Sequence, residues 1–144
     1  ADKGAEQAIR SAAKAAGKPV GAIEDVEFQI GMFDRIPESE QLAMLEELLK
    51  SIDEIPMEMG KLLEAWNRAD AAAFKAIMDK SEGQGPAAYK VIFSDRNATW
   101  ADWIDKCLDK PGTVFLAVGT GHLAGKDSVQ QLLAQRKITA VRAN

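Results

Sequence analysis

The stretch Thr113 to Val118, TVFLAV, runs into the glycine cluster Gly119-Thr120-Gly121-His122, and this junction constrains the fold more than any other part of the chain. A short apolar run without alternation has the pattern of a parallel strand covered on both faces. Glycines after it permit tight backbone geometry where a side chain would clash. A helical pattern resumes at Asp127. Strand, glycine turn and helix in that order place His122, the chain's single histidine, at the carboxyl end of a strand. Ligands bind at that edge in open α/β sheets.

The expected fold class is therefore α/β: an incomplete, mostly parallel sheet with a helical insertion. Three strands are predicted, at Val20 to Ile23, Thr113 to Val118 and Ile138 to Val141, from apolar or β-branched runs separated by helical patterns. The length of 144 residues implies a single domain over 1–144. Its helical subdomain is placed at about 34–82. An alanine-rich helix is predicted from Ala5 to Ala16, with Gly17 as its stop. In the middle, Ser39 is the expected cap of a helix carrying Leu42, Leu45, Leu48 and Leu49 on one face. Pro56 opens a second helix with Met57, Met59, Leu62, Leu63 and Trp66. A third, capped near Asp70, carries Ala73, Phe74, Ile77 and Met78. Ser81 to Pro86 has loop composition, and two helices are predicted at Ala87 to Phe93 and Ala98 to Leu108.

Composition excludes several function classes. With 22 acidic and 18 basic residues the formal net charge is -4. No basic cluster relieves that balance, so no nucleic-acid partner is expected. A single cysteine, Cys107, allows no internal disulfide. No apolar run reaches the roughly 18 residues of a membrane helix, so no transmembrane segment is expected. The chain opens Ala1-Asp2-Lys3 without an initiator methionine, and a targeting segment or upstream region is expected before it.

The candidate chemistry lies in four residues. Imidazole suits both metal ligation and acid–base work near neutral pH, so His122 is a candidate for either. It could equally hydrogen-bond a loop that the glycines bend. Glu24 ends a predicted strand and could share the functional edge with His122, or face solvent. Arg96 and Asn97 fall at an expected helix start. Arg96 could neutralise an anion or orient a carboxylate, or simply pair with Asp95 or Glu24. Asn97 could position a substrate group or water, or cap the helix. The glycine cluster fits nucleotide-binding loops poorly, because Thr120 and Asp127 occupy positions where a Walker loop needs glycine and a hydroxyl residue.

Taken together, several elements resemble a known family. They are Gly17-Lys18-Pro19 leading into Ile23-Glu24-Asp25-Val26-Glu27-Phe28-Gln29, then Arg96-Asn97, then Gly119-Thr120-Gly121-His122-Leu123-Ala124-Gly125-Lys126. The chain resembles the carboxyl-terminal part of TraB/GumN proteins, which are related more distantly to the Tiki metalloproteases. The resemblance implies an α/β fold of two related halves, with a site between them and a divalent metal in the complete protein. It implies a hydrolase, a peptidase by class, with Glu24, Arg96, Asn97 and His122 as catalytic residues. Glu24 and His122 would be metal ligands, and Arg96 would offset transition-state charge. The family has two Gly-x-x-His motifs, and Gly119 to His122 corresponds to the second. The missing upstream segment or a second protein chain is therefore an expected partner, homo-oligomerisation is a further expectation, and no metal is expected to bind tightly to this chain alone. A periplasmic or secreted location and an association with polysaccharide production follow from the family. The alternative is a non-enzymatic protein-interaction domain, whose acidic helical middle binds a partner while the motif residues support a loop.

Overall fold

The computed structural model describes residues 4–143. Eight α-helices, α1 to α8, follow one another: α1 (Ala5–Ala15), α2 (Val26–Gly31), α3 (Glu38–Lys50), α4 (Ile55–Asn67), α5 (Ala71–Gln84), α6 (Pro86–Tyr89), α7 (Asp95–Leu108) and α8 (Val129–Gln135). Short 3-10 turns at Met32–Arg35, Ile52–Glu54 and Thr120–Leu123 link some of them.

No strand forms among the described residues, which corrects the expected α/β sheet. The three predicted strand segments lie outside any helix and make no ladder with one another. A β-strand exists only through its neighbour's backbone hydrogen bonds, and the chain routes none of these segments beside another. In the middle one, Leu116 and Val118 are half-buried, while Val114 and Phe115 are 61% and 78% exposed. The apolar pattern thus records partial packing on the helices, not coverage on two faces.

Local chemistry explains the helix boundaries. Asp25 caps α2, its Oδ1 accepting from Phe28 N at 2.7 Å. Asp70 Oδ1 accepts from Ala72 N and Ala73 N, both at 3.0 Å, at the start of α5. That helix runs through the Ser81 to Gln84 stretch whose composition predicts a loop. Glu40 reaches from α3 to the start of α6, accepting from Ala87 N at 3.2 Å and Ala88 N at 3.0 Å. A carboxylate at a helix start satisfies donors that have no intrahelical partner.

The two helices predicted at 87–93 and 98–108 are one helical run, because a π-helical turn at Lys90–Ser94 joins α6 to α7. A π turn carries one more residue than an α turn, so it shifts which side chains share a face. The buried apolar residues form three clusters. Ala65, Phe74, Met78, Tyr89 and Ala124 join α4, α5 and the loop before α8. Met32, Ile36, Ala88 and Val91 form the second cluster. Trp100, Ala101, Val129 and Leu133 lock α7 to α8. By contrast, α3 buries none of its residues.

Candidate functional site

Arg96, Asn97 and Trp100 project from the first turns of α7, and the structure brings Glu24 and His122 to them. Arg96 and Trp100 stand four apart, neighbours on one helix face, and both reach Glu24. The Arg96 guanidinium grips the carboxylate with two parallel bonds, Nε to Oε1 at 2.9 Å and Nη2 to Oε2 at 2.8 Å. Trp100 Nε1 donates to Oε1 at 2.8 Å, and Gln29 Nε2 to Oε2 at 3.2 Å. Arg96 Nη1 also donates to Ile92 O at 3.1 Å, and that carbonyl belongs to the π turn. The pair is nearly dry, with side chains 11% and 6% exposed. Burial pushes the Glu24 carboxyl up, but the donors from Arg96, Gln29 and Trp100 and the guanidinium charge outweigh it, and its pKa is lowered.

Asn97 lies in the interior of α7 and does not cap it. Its side chain is buried and joins α7 to the His122 loop. Nδ2 donates to Asp127 O at 2.8 Å, so Oδ1 faces His122 Nδ1, 2.7 Å away. An amide oxygen can only accept, so the imidazole carries its proton on Nδ1. Ser94 Oγ donates to Asp127 Oδ2 at 2.8 Å and makes a second tie to the same loop.

The His122 ring is held between Trp100 and Phe93, with ring centroids 4.3 Å and 5.2 Å away. Arg96 Cζ stands 5.0 Å over the Trp100 ring, a cation–π contact. Burial, reinforced by the Arg96 charge and only partly opposed by Glu24, lowers the His122 pKa to about 4. The imidazole is therefore neutral at pH 7 and a poor base. Two glycines let the loop come this close. A Cβ on Gly121 would sit 3.0 Å from Phe93 Cε1, and Gly125 turns at φ +85° with a Cβ position 3.2 Å from the Tyr89 hydroxyl.

Among the described residues, no group of three or more His, Cys, Asp or Glu side chains is arranged to hold a metal ion. The metal-binding, metalloprotease-like reading of Glu24 and His122 is corrected on that ground. The Glu24 carboxylate already accepts from Arg96, Trp100 and Gln29, and His122 meets Asn97 through Nδ1, which leaves Nε2 as the ring nitrogen with the open lone pair. Residue spacing does not single out Trp100, Ser94 or Asp127 for the site. The i, i+4 relation of Arg96 to Trp100 is the sequence signal that points to the first.

A second feature borders Thr120 and Gly121. An apolar groove of about 340 Å³ is lined by Met59, Leu62, Leu63, Trp66, Phe74, Thr120 and Gly121. No helix among the described residues is long and apolar enough to cross a membrane.

The family model for TraB/PrgY/gumN proteins matches residues 1–142. The uncharacterized protein YbaP of Escherichia coli (strain K12) is 28% identical over 133 residues, covering 92% of this chain and 48% of that protein. YbaP of Shigella flexneri matches with the same identity and coverage. The chain thus spans about half the length of the curated relatives it matches. No solved structure matches.

Proposed function

The chain belongs to the TraB/PrgY/gumN family, and we propose that this region works within it as a non-enzymatic protein-interaction domain. The observation that carries the reading is α3, which buries no residue and exposes Leu42, Leu45, Leu48 and Leu49 by more than half each. Met57, Met59, Leu63 and Trp66 of α4 are likewise more than half exposed. Scattered exposed apolar side chains are ordinary, but a contiguous set marks a surface that another polypeptide covers. Methionine-rich faces adapt to varied partners because the thioether chain repacks easily.

In this reading Glu24, Arg96, Asn97 and His122 hold the protein together. The Arg96–Glu24 pair ties the segment before α2 to α7, and the Asn97 amide ties α7 to the loop at 119–128. These ties hold Thr120 and Gly121 against the apolar groove.

The test has two arms on the purified chain. Selection from a library of short helical peptides is expected to enrich apolar-anchored sequences, and Leu45→Asp or Met59→Asp is expected to abolish their binding. A peptide-cleavage screen with zinc and with manganese is expected to show no turnover. Metal-dependent cleavage that disappears in His122→Ala would overturn the reading.

A further inference from the structure

We propose that the outward face of α3 receives a cationic amphipathic helix of a separate polypeptide. This rests on the interaction-domain reading and names the partner's chemistry. Leu42, Leu45 and Leu49 recur at i, i+3 and i+7, the seam that one helix offers another. Glu40 fixes which way the seam faces. Its carboxylate is turned inward onto Ala87 N and Ala88 N. At 3.6 residues per turn the three leucines lie roughly 140 to 200° around the helix from it. They therefore point away from the body, as their exposures of 54%, 52% and 60% require.

Charge selects the occupant. The helix α3 carries four acidic residues and one basic residue. By the same geometry Glu46 borders the leucines, Glu38 lies one turn before Leu42 on their face, and Asp53 follows in the 3-10 turn after the helix. Among the described residues none of the three has an ion-pair partner, whereas Glu58, Glu64 and Asp79 each pair within their own helix. Acidic positions beside an apolar seam set partner choice by attracting Lys or Arg at the facing positions. A second copy docking antiparallel with Leu42 on Leu49 would set Glu38 against Asp53, which is repulsive. An anionic membrane surface is repelled in the same way.

The experiment uses three labelled helical peptides with identical leucine anchors and with Lys, Gln or Glu at the flanking positions, titrated against the 144-residue chain by fluorescence anisotropy. The Lys peptide is expected to bind about tenfold tighter than the Gln peptide, a ratio that a few exposed charge pairs supply together. The advantage should vanish in concentrated salt. The double variant Glu46→Lys with Asp53→Lys should invert the order of the Lys and Glu peptides. Leu45→Asp with Leu49→Asp should abolish binding with an unchanged circular dichroism spectrum, because both side chains are exposed. Equal binding of the three peptides overturns the cationic occupant and leaves the interaction reading standing. No binding by any of them overturns both. Self-association of the chain that Leu45→Asp abolishes makes a second copy the occupant and overturns the proposal.

Discussion

Oδ1 of Asn97 on α7 lies 2.7 Å from Nδ1 of His122, and through this bond a buried amide fixes both the tautomer and the position of the chain's single imidazole. The same amide donates to Asp127 O, so one side chain holds both ends of the loop that carries His122. The bond also sets the ring's stacking between Trp100 and Phe93.

Asn97→Ala is expected to destabilise the chain by about 2 to 4 kcal/mol, because it leaves the Asp127 carbonyl and the imidazole N–H without their partner in a buried place. Urea unfolding followed by tryptophan fluorescence measures it. Asn97→Asp is a sharper probe. The carboxylate still accepts from Nδ1 but cannot donate to Asp127 O, and its charge raises the His122 pKa. An NMR titration in which His122 does not move would place Asn97 outside its electrostatic environment.

The Arg96–Glu24 pair should behave as a buried pair does. Removing one partner, as in Arg96→Met, strands a carboxylate in a dry place and is expected to cost about 3 to 5 kcal/mol. Glu24→Gln should cost less, since the amide still accepts from Trp100. The double variant should be more stable than the sum of the two single losses predicts. Additive losses in a double-mutant cycle would mean that the two side chains act independently.

Gly121→Ala is expected to push Phe93 aside, since its Cβ would meet the ring at 3.0 Å. A cost of about 1 to 3 kcal/mol is the usual range for forced repacking of this kind. Gly125→Ala adds backbone strain at φ +85° and should cost a similar amount. A thermal melt of each variant checks both. Gly83→Ala serves as a control, because nothing lies within 4 Å of its Cβ position.

The helical periodicity of the middle and carboxyl-terminal regions was readable because alanine, leucine and methionine recur at helical spacing whatever they pack against. The expected strands fail for a physical reason. An apolar hexamer such as Thr113 to Val118 has the same letters whether a ladder partner exists or not, and the partner is a tertiary fact. The chain-end run Ile138 to Val141 shows it too: Ile138 packs on the α7–α8 cluster while Val141 is 85% exposed. Glu24, Arg96, Asn97 and His122 stood out as chemistry-bearing residues near glycine turns and predicted element ends. Pairing of Arg96 with Glu24 is among the readings the sequence offers, but the link from Asn97 to His122 is not legible there, because it rests on a helical run continued through the π turn at Lys90–Ser94. That turn merges two expected helices and makes Asn97 an interior bridge, where spacing alone offered a helix cap. Ser94 and Asp127 are 33 residues apart, and no local pattern links them.

Acid should weaken the fold over a defined window, and His122 is the reason. Its folded pKa is lowered from 6.5 to about 4. A proton binds the unfolded chain first, so between those values the unfolded state carries more protons than the folded state. Stability is therefore fully present above pH 6.5 and falls as the pH drops toward 4, where the folded imidazole also charges. At 1.36 kcal/mol per pH unit the loss amounts to about 3 kcal/mol. The Glu24 carboxyl, with its pKa also lowered, removes further stability at the acid end as it takes up its proton. His122→Gln keeps a donor for Asn97 and cannot titrate, so its stability should be nearly flat from pH 7 to 5, where the parent chain declines. Urea midpoints of both chains at half-unit steps of pH give the comparison. Parallel curves would show that the decline comes from other groups and that the buried imidazole does not govern it.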